Sequence, residues 1–187
     1  HHPDVGRRPR VDPVVTPEDV DTFTTDGVVC LRGALPVDAV EAMADPVERL
    51  LRGDEVADLG ALAGATSGPR FSAGVDHWRT DDAFRRFACE GVLPSVAAAL
   101  LGSEAVWLYE DSLLVKEPGA PFRTEFHTDA GYFHVQGTKA CTFWVPLDPA
   151  SPATGSVQYV RGSHRWDRDF RPNLFTLPDP IPGTEGE

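Results

Sequence analysis

Lysine is nearly absent from this chain: Lys116 and Lys139 are the only two among its 187 residues. Seventeen Lys and Arg side chains against 29 Asp and Glu leave a formal net charge of -12 at pH 7, with a sequence pI near 4.8. A surface of that sign repels phosphate backbones, which excludes nucleic acid as a partner. Cysteine is sparse too. Cys30, Cys89 and Cys141 are odd in number, widely spaced and each inside an apolar segment, so they read as buried reduced thiols rather than a disulfide framework or a zinc site. No apolar run approaches bilayer length and no charged-then-apolar leader precedes the first helix, so we expect no membrane partner and, by default, a cytoplasmic location.

What is present suits one domain with a core of useful size: 41% of residues are hydrophobic and 25% charged. His1-His2 reads as a tag remnant and stays out of any metal argument. Residues 1–14 form an expected disordered, Arg/Pro-rich lead. Thr16 caps a helix with Pro17 at its first position, running to about Asp26. Residues 28–32 read as a short strand, Pro36 starts a helix through about Arg52, and residues 57–69 read as loop. Helices follow at 81–88 and 93–101, the second stopped by Gly102. A mainly helical flank over residues 15–103, strands and turns over 104–172, and a flexible tail over 173–187 give a single α+β domain without internal repeats.

Chemistry concentrates at His127-Thr128-Asp129. On a strand, residues 127 and 129 project the same way, so one imidazole and one carboxylate meet. Iron(II) in oxygen-activating enzymes is often held by two histidines and one carboxylate on one face of an octahedron, with the opposite positions open. Alone the tripeptide is a weak signal, since a lone His-Asp pair is more often a surface hydrogen bond.

Its surroundings sharpen it. A strand ending Lys116-Glu117-Pro118-Gly119 leads into the His-x-Asp; Trp144 follows within residues 140–147, and Gly162-Ser163-His164-Arg165 comes after that. In this order the pieces resemble the phytanoyl-CoA dioxygenase family over roughly residues 15–172.

The resemblance implies a non-haem iron(II)- and 2-oxoglutarate-dependent oxygenase that uses O2 to hydroxylate an unactivated C–H bond. The implied fold is a double-stranded β-helix, a jelly-roll or cupin-like barrel with flanking N-terminal helices. His127 and Asp129 match the family's first two metal ligands and are the implied catalytic pair. Trp144 matches a residue lining the 2-oxoglutarate pocket; Thr142, sharing its strand face, and Lys116, a cation on the entering strand, are cofactor-binding candidates, with barrel core or a solvated strand end as the alternatives. Tyr132, Phe133 and His134 fall where the family's substrate loop lies, against the alternative of simple packing. A carboxylate at 129, where related halogenases carry a small residue, argues for hydroxylation or desaturation. The substrate expected is a small molecule, a natural product or amino-acid derivative. Nothing in the sequence sets the oligomeric state.

The family's second histidine and its 2-oxoglutarate-binding arginine lie beyond the Gly-Ser-His turn and are not among these residues. Four readings of that gap stand: a chain truncated or broken at a mobile Pro/Gly-rich loop, which we favour; His164 as the missing ligand, against which Gly-Ser-His-Arg reads as a hairpin turn whose histidine hydrogen-bonds structurally; a non-catalytic relative with an incomplete site; or completion by another chain. The alternative function is a non-catalytic metal- or ligand-binding β-barrel.

Overall fold

A computed structural model describes residues 14–62, 64–133, 135, 137–168, 170–173, 179 and 181. The first helix, α1 (Pro17–Asp26), starts where Thr16 and Asp19 form a reciprocal capping box: the Asp19 N–H donates to Thr16 Oγ1 (3.2 Å) and the Thr16 N–H to Asp19 Oδ2 (2.9 Å). It ends at Gly27, which is left-handed at φ 74°. The single helix expected over 36–52 is two, α2 (Val37–Glu41) and α3 (Ala44–Arg52). Pro46 explains the break: it has no N–H to offer the Ala42 carbonyl four residues back, and its ring crowds that carbonyl.

Residues 57–69, expected as loop, contain the two-residue strand β1 (Ala57–Asp58) and the short helix α4 (Leu59–Leu62). Strand β2 (Phe71–Val75) follows, then α5 (Asp82–Cys89), α6 (Leu93–Leu101) and β3 (Ser112–Lys116). Asp81 caps α5 by accepting from the Ala83 (2.7 Å) and Phe84 (3.3 Å) amides, and ties it to α3 through Arg49 at 2.8 Å. Residues 28–32, expected as strand, pair with no strand among the described residues and are not one.

The sheet is antiparallel in the order β1-β2-β3, with Gly74 opposite Leu113 and Ser72 opposite Val115. Leu113 and Val115 point the same way and meet Met43, Leu50 and Phe84 from the helices. That layer of helix on sheet is the core. It confirms an α+β chain with its helical flank, but a closed jelly roll is not formed among the described residues. Residues 140–147 keep the alternation of a strand, Cys141, Phe143, Val145 and Leu147 half-buried and Thr142, Trp144 and Pro146 exposed, yet no ladder partner faces them there. Leu147 reaches the core.

Two of the thiols expected to be buried are not: Cys30 and Cys89 are exposed, and Cys141 is half-buried. The short apolar stretches around Cys30 and Cys89 turn other residues inward. Among the described residues no helix is long and apolar enough to cross a membrane.

Candidate metal centre

The chain enters the site in extended form at Thr128 (φ -111°, ψ 132°) and turns at once through a short 3-10 helix, Asp129–Gly131. The turn is closed by the Gly131 amide donating to the Thr128 carbonyl (3.2 Å) and the Tyr132 amide to the Asp129 carbonyl (2.9 Å). Residues 127 and 129 therefore converge across the mouth of a turn rather than on a paired strand. Their side chains do meet: His127 Nε2 lies 3.5 Å from Asp129 Oδ1.

The other ring nitrogen is committed. His127 Nδ1 stands 2.7 Å from the Glu125 carbonyl, and a carbonyl only accepts, so Nδ1 carries the proton and Nε2 of the neutral ring carries the lone pair. This backbone-to-imidazole bond is the support that metal-ligating histidines usually have. Donors at adjacent corners of an octahedron with bonds of roughly 2.1 Å are roughly 3 Å apart, so a divalent ion needs only a small adjustment of this pair. The residues present fit two of three positions; among the described residues no group of three or more His, Cys, Asp or Glu side chains is placed to hold a metal.

The two groups favour each other's charge. Hydrogen bonding to His127 holds the Asp129 carboxyl below its usual range, against burial, and the Thr142 hydroxyl bonds the same carboxylate. Hydrogen bonding to Asp129 raises the His127 pKa, again against burial, with the Glu125 carbonyl helping. Tyr132 sets its ring edge-on to the imidazole, centroids 5.6 Å apart at 85°.

Of the other candidates, Thr142 thus comes to the pair. Trp144 shares its open face and is 42% exposed. Phe133 packs on Tyr109 at 5.1 Å between centroids. Lys116 is engaged away from the pair: its amine lies 3.3 Å from Thr124 Oγ1 and 4.5 Å over the Phe71 ring. His134 lies outside the described residues. His164 is turned to α1, where its Nε2 sits 3.1 Å from the Thr24 carbonyl and its ring fills the space a side chain at Gly27 would need. The reading of His164 as the missing ligand falls, and its structural reading stands.

Two residues near the pair were not singled out from the sequence. Burial raises the Tyr159 hydroxyl pKa, with the Asp129 charge adding to it, although the residue is 54% exposed. Asn173, only 6% exposed, bonds to Tyr132. A lone tyrosine or asparagine outside a motif carries no chemical signature, so only the fold brings them forward. One cavity, of about 140 Å³, lies elsewhere, around Asp58 and the loop at 65–69. Asp58 Oδ1 there accepts from the Gly60 amide (2.9 Å).

Compared with known protein families, the chain matches the model described as Phytanoyl-CoA dioxygenase (PhyH) over residues 23–180. No curated protein and no solved structure matches it.

Proposed function

Because the chain belongs to the phytanoyl-CoA dioxygenase family, we propose that it is a non-haem iron(II)- and 2-oxoglutarate-dependent oxygenase that hydroxylates an unactivated C–H bond of a small molecule. The observation that carries this is the His127–Asp129 pair, Nε2 and Oδ1 at 3.5 Å with Nδ1 already tied to the chain. Iron(II) held there would supply the oxygen activation that couples 2-oxoglutarate decarboxylation to hydroxylation.

The protein's own part is to bind and orient. Asp129 offers a carboxylate held below its usual pKa, and His127 offers the Nε2 lone pair once the proton it shares with Asp129 has left, the protonation states a metal requires. The Thr142 hydroxyl adds to the lowering of the Asp129 pKa. Trp144 on the same face is our candidate for lining the 2-oxoglutarate site, with Lys116 as a candidate only if it leaves its contacts with Thr124 and Phe71; Tyr132, Phe133 and His134 are the candidates for substrate. Completion of a jelly-roll barrel around this face, and a third ligand with it, belong to the proposal.

The second reading is a barrel that binds metal without turnover, in which the His127–Asp129 pair holds an ion and no oxidation follows. Succinate formation from 2-oxoglutarate, dependent on added iron(II) and O2 and abolished in Asp129→Ala, is the expected result. Iron binding with no succinate at any substrate tried would leave the second reading.

A further inference from the structure

The loop from Phe126 to Tyr132 carries both metal donors, and among the described residues it lies on no strand ladder; two backbone bonds close its turn. Asn173, more than forty residues further along the chain, bonds to both ends of it. Its buried amide group spans the loop. Nδ2 donates to the Phe126 carbonyl at 3.5 Å, at one end. At the other end the Asn173 backbone N–H donates to Tyr132 Oη at 2.9 Å, and the Tyr132 hydroxyl proton lies between two acceptors, the Asn173 carbonyl (2.8 Å) and Oδ1 (2.9 Å). One asparagine thereby bonds to residues on either side of His127 and Asp129.

We propose that Asn173 and Tyr132 form a clasp that positions the metal loop, Asn173 setting the distance between its ends and Tyr132 passing that constraint to the His127 ring by edge contact. This rests on the metal-centre reading above. The segment bearing Asn173 is itself seated on the loop. The Phe170 carbonyl would lie 2.8 Å from a Cβ at Gly131, so backbone meets backbone there without a side chain between. Ile181 donates its N–H to the Pro172 carbonyl at 2.8 Å on the same segment. A buried asparagine bonded through its backbone and its side chain is specific in a way an apolar residue is not, because a displaced loop would leave buried polar groups unsatisfied.

Outer contacts of this kind typically change metal affinity by 10–100-fold when removed. Three proteins decide the matter: Tyr132→Phe, which keeps the ring edge on His127 and loses the hydroxyl; Asn173→Ala; and the double variant. Amide hydrogen exchange at Gly131 and Tyr132, measured without metal and normalised to each variant's global unfolding, reads the clasp itself. Titration with Co(II), followed by its d–d absorption, reads the metal pair. The clasp predicts exchange at those two amides roughly 10-fold faster or more in each single variant, Co(II) affinity about 10-fold weaker or more with an altered band shape, and a double variant no worse than the worse single one. Unchanged local exchange and unchanged Co(II) spectra in both single variants overturn it. Wild-type protein that binds no Co(II), or Asp129→Ala that binds it as well as wild type, overturns the metal-centre reading instead, and the exchange result still judges the clasp.

Discussion

Leu113 and Leu114 are neighbours on β3 that should differ sharply when truncated. Leu113 is 7% exposed and packs with Met43, Leu50 and Phe84; Leu114 faces the other side and is 52% exposed. Leu113→Ala removes three buried carbons, a transfer loss of about 2.4 kcal/mol at roughly 0.8 kcal/mol per methylene. The cavity that the helices cannot close adds to this, bringing the cost to about 3 kcal/mol. For a chain of 187 residues, with each kcal/mol lowering Tm by roughly 2–4 °C, the drop is roughly 6–12 °C. Leu114→Ala gives up a side chain already half in water and should cost about 1 kcal/mol or less. Urea denaturation followed by tryptophan fluorescence, analysed at constant slope, measures both. Equal costs, or the reverse order, would mean that β3 is shifted by one residue against β2, because a single-residue slip exchanges the two faces.

Other outcomes follow from the same contacts. His164→Ala should cost about 1 kcal/mol through the lost bond to the Thr24 carbonyl, and leave metal binding unchanged; weaker Co(II) binding would return His164 to the ligand set. Gly131→Ala should speed exchange around residues 127–132 and destabilise the loop, since its Cβ would stand 2.8 Å from the Phe170 carbonyl; an unperturbed loop would contradict that approach. Metal binding should weaken on acidification, because an ion at Nε2 must displace a proton from a histidine whose pKa lies above 6.5. Below that raised pKa the log of affinity should fall by about one per pH unit, and above it stay flat. In the metal-free chain the signs differ. The His127 contribution to stability is full below 6.5 and lost as pH rises through its raised folded value; that of Asp129 is full above 3.8 and lost as pH falls through its lowered one. Denaturation midpoints between those limits should therefore exceed those of Asp129→Asn most clearly, and a constant difference across pH would refute the pairing.

Where the fold was legible, the signal was local. The start of α1 could be read because Thr16, Pro17 and Asp19 are all within one turn, and α6 because Pro94 and Gly102 bracket it. The meeting of His127 with Asp129 was legible for the same reason, although a turn and not a strand brings it about. The break before α3 was available in Pro46 but hidden by an apolar pattern that continues across it. Strand β2, with Ser72, Ala73 and Gly74 at its centre, has none of the bulky alternation that marks a strand; it forms because β3 pairs along its whole length. Residues 28–32 have the right composition but no strand partner among the described residues, which is why they are not strand. Asn173 could not have been found, since the bonds that give it meaning reach Tyr132 and Phe126, 41 and 47 residues away.

The central claim is that the side chains of His127 and Asp129 share one divalent cation. Calorimetric titration of iron(II) into the protein under argon tests it most directly, with His127→Ala, Asp129→Ala and His164→Ala run beside the wild type. The account predicts a single site per chain in wild type and His164→Ala, and affinity lowered by roughly 100-fold or more in the other two. Iron(II) bound equally well by His127→Ala and Asp129→Ala would contradict it.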